Sequence, residues 1–182
     1  MGETNKRTYI RKATPDDIYL TQSIVNLVNR TFRSDSFSDT EIFPDNERVT
    51  FEEIENLIVE SGGKSSALWF AFDQQWVQEH GKYEEVIVGA VKIGPYNFRS
   101  HKDSCILEIF AISPEYRKRG LGSFLAQEAL KYAKESGYTT AYLMVLDSKP
   151  KLLDWCRRAL GFEEIYTVKY TGRHKINRDA AV

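Results

Sequence analysis

Between an apolar run, Ser104 to Ile112, and a stretch with helical apolar spacing lies the segment Arg117-Lys118-Arg119-Gly120-Leu121-Gly122-Ser123. A strand that ends in such a turn and feeds a helix leaves the first helical N–H groups unpaired at the positive end of the helix dipole. That is an anion site. Gly120 and Gly122 let the backbone approach a phosphate closely, and three cations sit beside it, so the turn fits a pyrophosphate. It is neither GxxxxGK(S/T) nor GxGxxG followed by a ribose-binding acid after a second strand. Nucleotide hydrolysis and dinucleotide binding therefore fit poorly.

The elements around this turn can be read from local chemistry. Thr8 to Lys12 is β-compatible. Thr14-Pro15-Asp16-Asp17 then supplies an N-cap, a proline at the first helical position and a first-turn acid, and Ile18, Thr21, Val25, Val28 and Phe32 predict one helix to about residue 32. Ser34 to Asn46 reads as loop. Thr50-Phe51-Glu52-Glu53 is a capping box, with Phe51, Ile54 and Ile58 on one helical face and Gly62-Gly63 as the stop. Ala67 to Phe72 and Val86 to Ile93 read as interior strands joined by a polar loop over 73–85, and Ser104 to Ile112 as a third, closed by Ser113-Pro114. After the turn, Leu121, Phe124, Leu125, Ala129, Tyr132 and Ala133 line a helix that Gly137 ends. The pattern then repeats: strand Thr139 to Leu146, helix Pro150 to Leu160 with Gly161 as stop, strand Phe162 to Thr171. Meander and crossover are mixed, which predicts an α/β (mixed α+β) chain with one central, mixed, twisted sheet flanked by helices.

Composition narrows the function classes. The 182 residues carry 25 Lys+Arg against 26 Asp+Glu, a formal charge of −1, without the basic excess that phosphate backbones demand. A nucleic-acid partner is not expected. With 42% hydrophobic and 13% aromatic residues the chain is too apolar to be disordered, and no apolar run approaches the ~18 residues of a membrane span. The two cysteines, Cys105 and Cys156, make no disulfide framework, and the start MGETNKRTYI lacks the apolar stretch of a secretory signal. A cytoplasmic protein is the expectation. Asn29-Arg30-Thr31 is formally a sequon, read as incidental, and His80, His101 and His174 show no ligand spacing, so no metal is expected.

The run LEIFAISPEYRKRGLGSFLAQEALKYAKESGYTTAYLMVL, followed by LLDWCRRALGF, resembles the GCN5-related N-acetyltransferases. Their signature of Arg or Gln, two residues, Gly, one residue, then Gly or Ala matches Arg117, Gly120 and Gly122. The resemblance covers roughly residues 66 to 171 and implies a single domain over 1–182, its coenzyme half at 104–171. It further implies that acetyl-CoA places its pyrophosphate on the N–H groups of Arg117, Lys118, Arg119, Gly120, Leu121, Gly122 and Ser123. The pantetheine arm would pair with the backbone of Phe110, Ala111 and Ile112, and an N–H near Ile112 would polarise the thioester carbonyl. Transfer to an amine is then direct, without an acyl-enzyme.

An attacking amine must lose a proton, and Glu108 is the candidate base: an ionisable group in an apolar run, with the side-chain parity of Ile106, Phe110 and Ile112; the alternative is a Glu that pairs with a neighbouring strand's Lys or Arg. The family's tyrosine that protonates the leaving thiolate is missing; Cys156 or Arg157 stands in its place, and Tyr142, Tyr166 or solvent are the alternatives. The frequent asparagine after the fifth strand is also absent, with Lys149-Pro150 there.

Charge is uneven along the chain. Ser34 to Glu60 holds nine acids against Arg48 alone, net −8, whereas Lys149 to Lys175 is net +4. The resemblance puts the region between the first two helices beside the acceptor cleft, so an acidic loop over 34–49 would attract a cationic amine, with Phe32, Phe37 and Phe43 able to floor a pocket. The expectation is an acetyl-CoA-dependent N-acetyltransferase acting on a small-molecule or peptide amine, as monomer or homodimer. The alternative is a catalytically weak or inactive acyl-CoA-binding regulatory module, and a third reading makes RKRGLG a plain basic turn. Coenzyme binding separates the third from the others, and amine-dependent thiol release separates the first two.

Overall fold

A computed structural model describes residues 8–34, 47–63, 65–96, 103–146, 149–165 and 167. Five strands, β1 (Tyr9–Lys12), β2 (Ala67–Val77), β3 (Lys82–Pro95), β4 (Ser104–Ile112) and β5 (Thr140–Leu143), form one sheet in the order β1-β2-β3-β4-β5. The first three pairings are antiparallel, and β4 and β5 are parallel, joined through helix α3 (Leu121–Glu135). Helices α1 (Thr21–Ser34) and α2 (Phe51–Glu60) cover one face, where Ile24, Leu27, Ile54 and Ile58 pack on Phe70, Phe72 and Ala90. On the other face Leu125, Ala129 and Ala133 of α3 pack on Ala71, Val88, Val91 and Leu107. The mixed α/β sheet flanked by helices is as expected. Helix α4 (Pro150–Leu160) follows β5, and Gly161, at φ 74°, ends it in a conformation glycine adopts without penalty. Among the described residues no helix is long and apolar enough to cross a membrane.

Departures from the expected elements have local causes. Pro15–Leu20 is a 3₁₀ helix rather than the start of α1, and its tighter winding rotates Ile18 outward to 44% exposure while Thr21, Ile24, Leu27 and Val28 form the buried stripe. Phe51 and Phe124, expected on buried faces, are half-exposed. The expected loop over 73–85 is mostly strand, with the hairpin turning only at 78–81. Its residues are mostly polar, so it lacks the apolar pattern that marks an interior strand in sequence; Trp76 and Tyr83 pair across it edge to face, centroids 5.2 Å apart. At the other end of the chain, Phe162 to Ile165 and Thr167 lie outside the sheet, which corrects the expected last strand; its other residues lie outside the described ones, as do residues 35–46 of the acidic loop.

Asn29 ties α1 to the entry of α2. Its side-chain oxygen accepts from the N–H groups of Arg48 at 2.7 Å and Val49 at 3.0 Å, and its amide donates to the Val49 carbonyl at 2.9 Å. The Asn29 side chain that makes these bonds is buried.

Candidate active site

Gly120 caps α3 in the left-handed region at φ 81°, preceded by Lys118 at φ 60°. The first helical hydrogen bond runs from Phe124 N–H to the Gly120 carbonyl at 3.0 Å, so the N–H groups of Leu121, Gly122 and Ser123 have no acceptor within the helix. The turn is held from three sides. Arg117 Nε donates to the Ile112 carbonyl at 3.2 Å. Tyr116, in the 3₁₀ turn Pro114–Tyr116, donates to Asp73 Oδ2 at 2.5 Å and accepts from Gln75 Nε2 at 2.7 Å, and the Arg119 guanidinium lies 5.6 Å from the Tyr116 ring. Burial, together with the Asp73 carboxylate, raises the Tyr116 pKa above its ordinary value. β2 thus braces the turn through Asp73 and Gln75. On the α1 side, Arg30 Nη2 donates to the buried Ser113 hydroxyl at 2.7 Å, and that hydroxyl donates to Glu115.

A β-bulge lies beside the turn. Gly89 and Ala90 pair with Ile112 and Ala111, whereas Lys92 and Ile93 pair with Glu108 and Leu107, so Val91 alone faces both Ile109 and Phe110. Ile109 absorbs the extra residue at φ 52°, a costly conformation for a β-branched side chain. Two features accompany it. Pairing of β4 with β5 stops at Leu107 and Leu143, leaving the β4 edge from Glu108 to Ile112 without a β5 partner. The side-chain alternation also flips: Cys105 and Leu107 face α3, and beyond the bulge Phe110 and Ile112 do, while Ile109 and Ala111 face α1 and α2. Glu108 shares parity with Ile106 but not with Phe110 and Ile112, which corrects the parity read from unbroken alternation.

Glu108 is partly buried, and its Oε2 accepts from Lys92 Nζ at 2.7 Å across the strand pair. Lys92 escaped the sequence reading, although a lone lysine inside VIVGAVKI was its available signal. Helix α4 carries both predicted substitutes. Cys156 is buried, and burial pushes its thiol up to about 11; Arg157 pairs with Glu164 on the exposed side. The residue that meets the candidate site is Trp155. Its ring stacks on Phe110 with centroids 5.5 Å apart and planes 24° apart. Tyr142 packs against Tyr96 at 4.5 Å, and Tyr166 lies outside the described residues.

Among the described residues, the bulged strand has an edge that β5 does not pair, and it leads into a glycine-capped helix whose first amides have no acceptor within the helix; together these can seat an extended arm and its phosphates. The sequence profile of the Acetyltransferase (GNAT) family matches residues 29–162. The chain belongs to the acetyltransferase (GNAT) family. No curated protein matches it in sequence. Among solved structures, a GNAT-family acetyltransferase from Streptococcus pneumoniae is similar at TM-score 0.60 and 23% identity, covering 84% of this chain and 82% of that one. An aminoglycoside N-acetyltransferase in complex with CoA is similar at TM-score 0.63 and 13% identity, with coverage of 96% and 100%. An aminoglycoside acetyltransferase from an uncultured soil metagenomic sample, in complex with sisomicin, gives 0.61 and 14%, with coverage of 90% and 95%. At these identities the likeness is one of fold.

Proposed function

We propose that this GNAT-family chain transfers an acetyl group from acetyl-CoA directly to a primary amine of a small molecule or peptide. The observation that carries this reading is the bulge in β4 lying beside the glycine-capped start of α3, which offers an open strand edge and unpaired amides within one site. In this reading the N–H groups of Leu121, Gly122 and Ser123 hold the pyrophosphate, flanked by Arg117, Lys118 and Arg119. The backbone of Phe110, Ala111 and Ile112 takes the arm, and an N–H near Ile112 stabilises the oxyanion. Acetyl-CoA, when bound, supplies the activated acyl carbon. Glu108 takes the proton that the ammonium must lose, the amine nitrogen bonds to the acyl carbon, the C–S bond breaks, and the second proton that the nitrogen then sheds passes through solvent to the thiolate, so that CoA leaves as the thiol.

The net −8 of Ser34 to Glu60 favours a cationic acceptor, as does the neighbour solved with sisomicin, an aminoglycoside. The same reading takes residues 1–182 as one cytoplasmic domain, with 34–49 on the acceptor side and 104–171 as the coenzyme half.

Amine-dependent thiol release, followed over a panel of polyamines, arylalkylamines, amino acids and peptides, tests the reading. Glu108→Gln is expected to lower kcat by about 10²-fold or more while coenzyme affinity stays within about twofold. An unchanged kcat would place the base elsewhere. A second reading, an acyl-CoA-binding regulatory module, draws support from α4, where Cys156 is buried and Arg157 is paired outside. Coenzyme binding without thiol release for any amine would favour that module.

A further inference from the structure

If the phosphates sit on the α3 amides and the arm lies along the open β4 edge, the path between them crosses one place in the fold. Phe110 from β4, Trp155 from α4 and Gly122 from the first turn of α3 meet there. A Cβ built on Gly122 would lie 3.6 Å from Phe110 Cζ, 3.6 Å from Trp155 Cζ2 and 3.6 Å from Ile112 Cγ1. The two rings stack directly over this glycine and bridge β4 to α4 just past the point where β4 and β5 part.

We infer that Trp155 is a further binding residue of the coenzyme site, and that its stack with Phe110 parts to admit the pantetheine arm; the inference rests on the coenzyme reading above. Once parted, the indole forms the wall of the slot on the α4 side and meets the arm's methyl and amide groups, as an aromatic face packs on mixed apolar and polar matter. The closed stack lowers apparent affinity by the fraction of molecules in which the slot is open, so weakening it favours ligands that carry the arm and no others.

The test uses the full chain with two probes: CoA, which carries the arm, and 3′-phosphoadenosine 5′-diphosphate, which keeps the pyrophosphate and lacks the arm. Tryptophan emission is compared between wild type and Trp155→Phe, so that any response of Trp69 and Trp76 cancels. The expected result is an emission change with CoA that Trp155→Phe abolishes and that the diphosphate does not produce. Phe110→Leu, which weakens the stack, is expected to raise the association rate for CoA about two- to tenfold and to leave that for the diphosphate unchanged. Calorimetric CoA binding without any Trp155-dependent emission change would overturn the role of Trp155 and leave the coenzyme reading standing. An equal response to the diphosphate would overturn the parting of the stack by the arm. Absence of CoA binding by calorimetry would overturn both.

Discussion

Asp17 is buried, and Arg11 grips it with two guanidinium hydrogen bonds of 2.7 Å while the Thr14 N–H adds a third at 2.8 Å. The Arg11 bonds hold its carboxyl below the ordinary value of 3.8, against the opposing effect of burial. A carboxyl depressed in the folded state adds stability that is complete above its unfolded value and is lost as pH falls through the folded one. Asp17→Asn is therefore expected to cost about 1–3 kcal/mol at pH 7, with the wild-type advantage shrinking below pH ~4; urea titrations of both chains at the two pH values check this. A constant difference across pH would assign the effect to shape rather than charge. The helix start at Thr14-Pro15-Asp16-Asp17 was legible because capping is local chemistry, whereas the Arg11 partnership depends on how β1 meets that start. Glu108 is the same case at the candidate site. Its oddity in an apolar run is visible in the sequence, but its pairing with Lys92 depends on a register that only the bulge fixes.

Two features of the sheet left no trace in the sequence. SCILEIFAI is an apolar run broken only by Glu108 and shows no mark of a bulge, and the residue that bulges is Ile109 rather than the glycine that would advertise a positive φ. The hairpin beyond Phe72 is mostly polar in sequence, and Asp73 and Gln75 at its base bond to Tyr116. Gly89 shows how closely α3 seats on β3. A Cβ there would stand 2.8 Å from Ile112 Cδ1, 3.2 Å from Ala71 Cβ and 3.3 Å from Leu125 Cδ2. Gly89→Ala must push Ile112 or α3 away and is expected to destabilise the chain by about 1–3 kcal/mol and to raise the KM for acetyl-CoA. A thermal melt and a KM that both match wild type would mean the sheet and helix yield without cost.

At the scale of the molecule, the order of elements from β1 to α4, the crossover through α3 and the signature turn were readable, because apolar period, caps and glycine stops act over a few residues each, whereas the last expected strand and the extent of the β2–β3 hairpin were not. What was not readable is how β4 and β5 part, since this depends on contacts between segments far apart in sequence, among them Phe110 with Trp155. That opening is the centre of the functional account. Amide shifts of ¹⁵N-labelled protein during an acetyl-CoA titration test it most directly. The largest movements are expected at Gly120 to Ser123 and at Phe110 to Ile112, saturating together with one affinity. Shifts confined to other surfaces, or none at saturating acetyl-CoA, would contradict it.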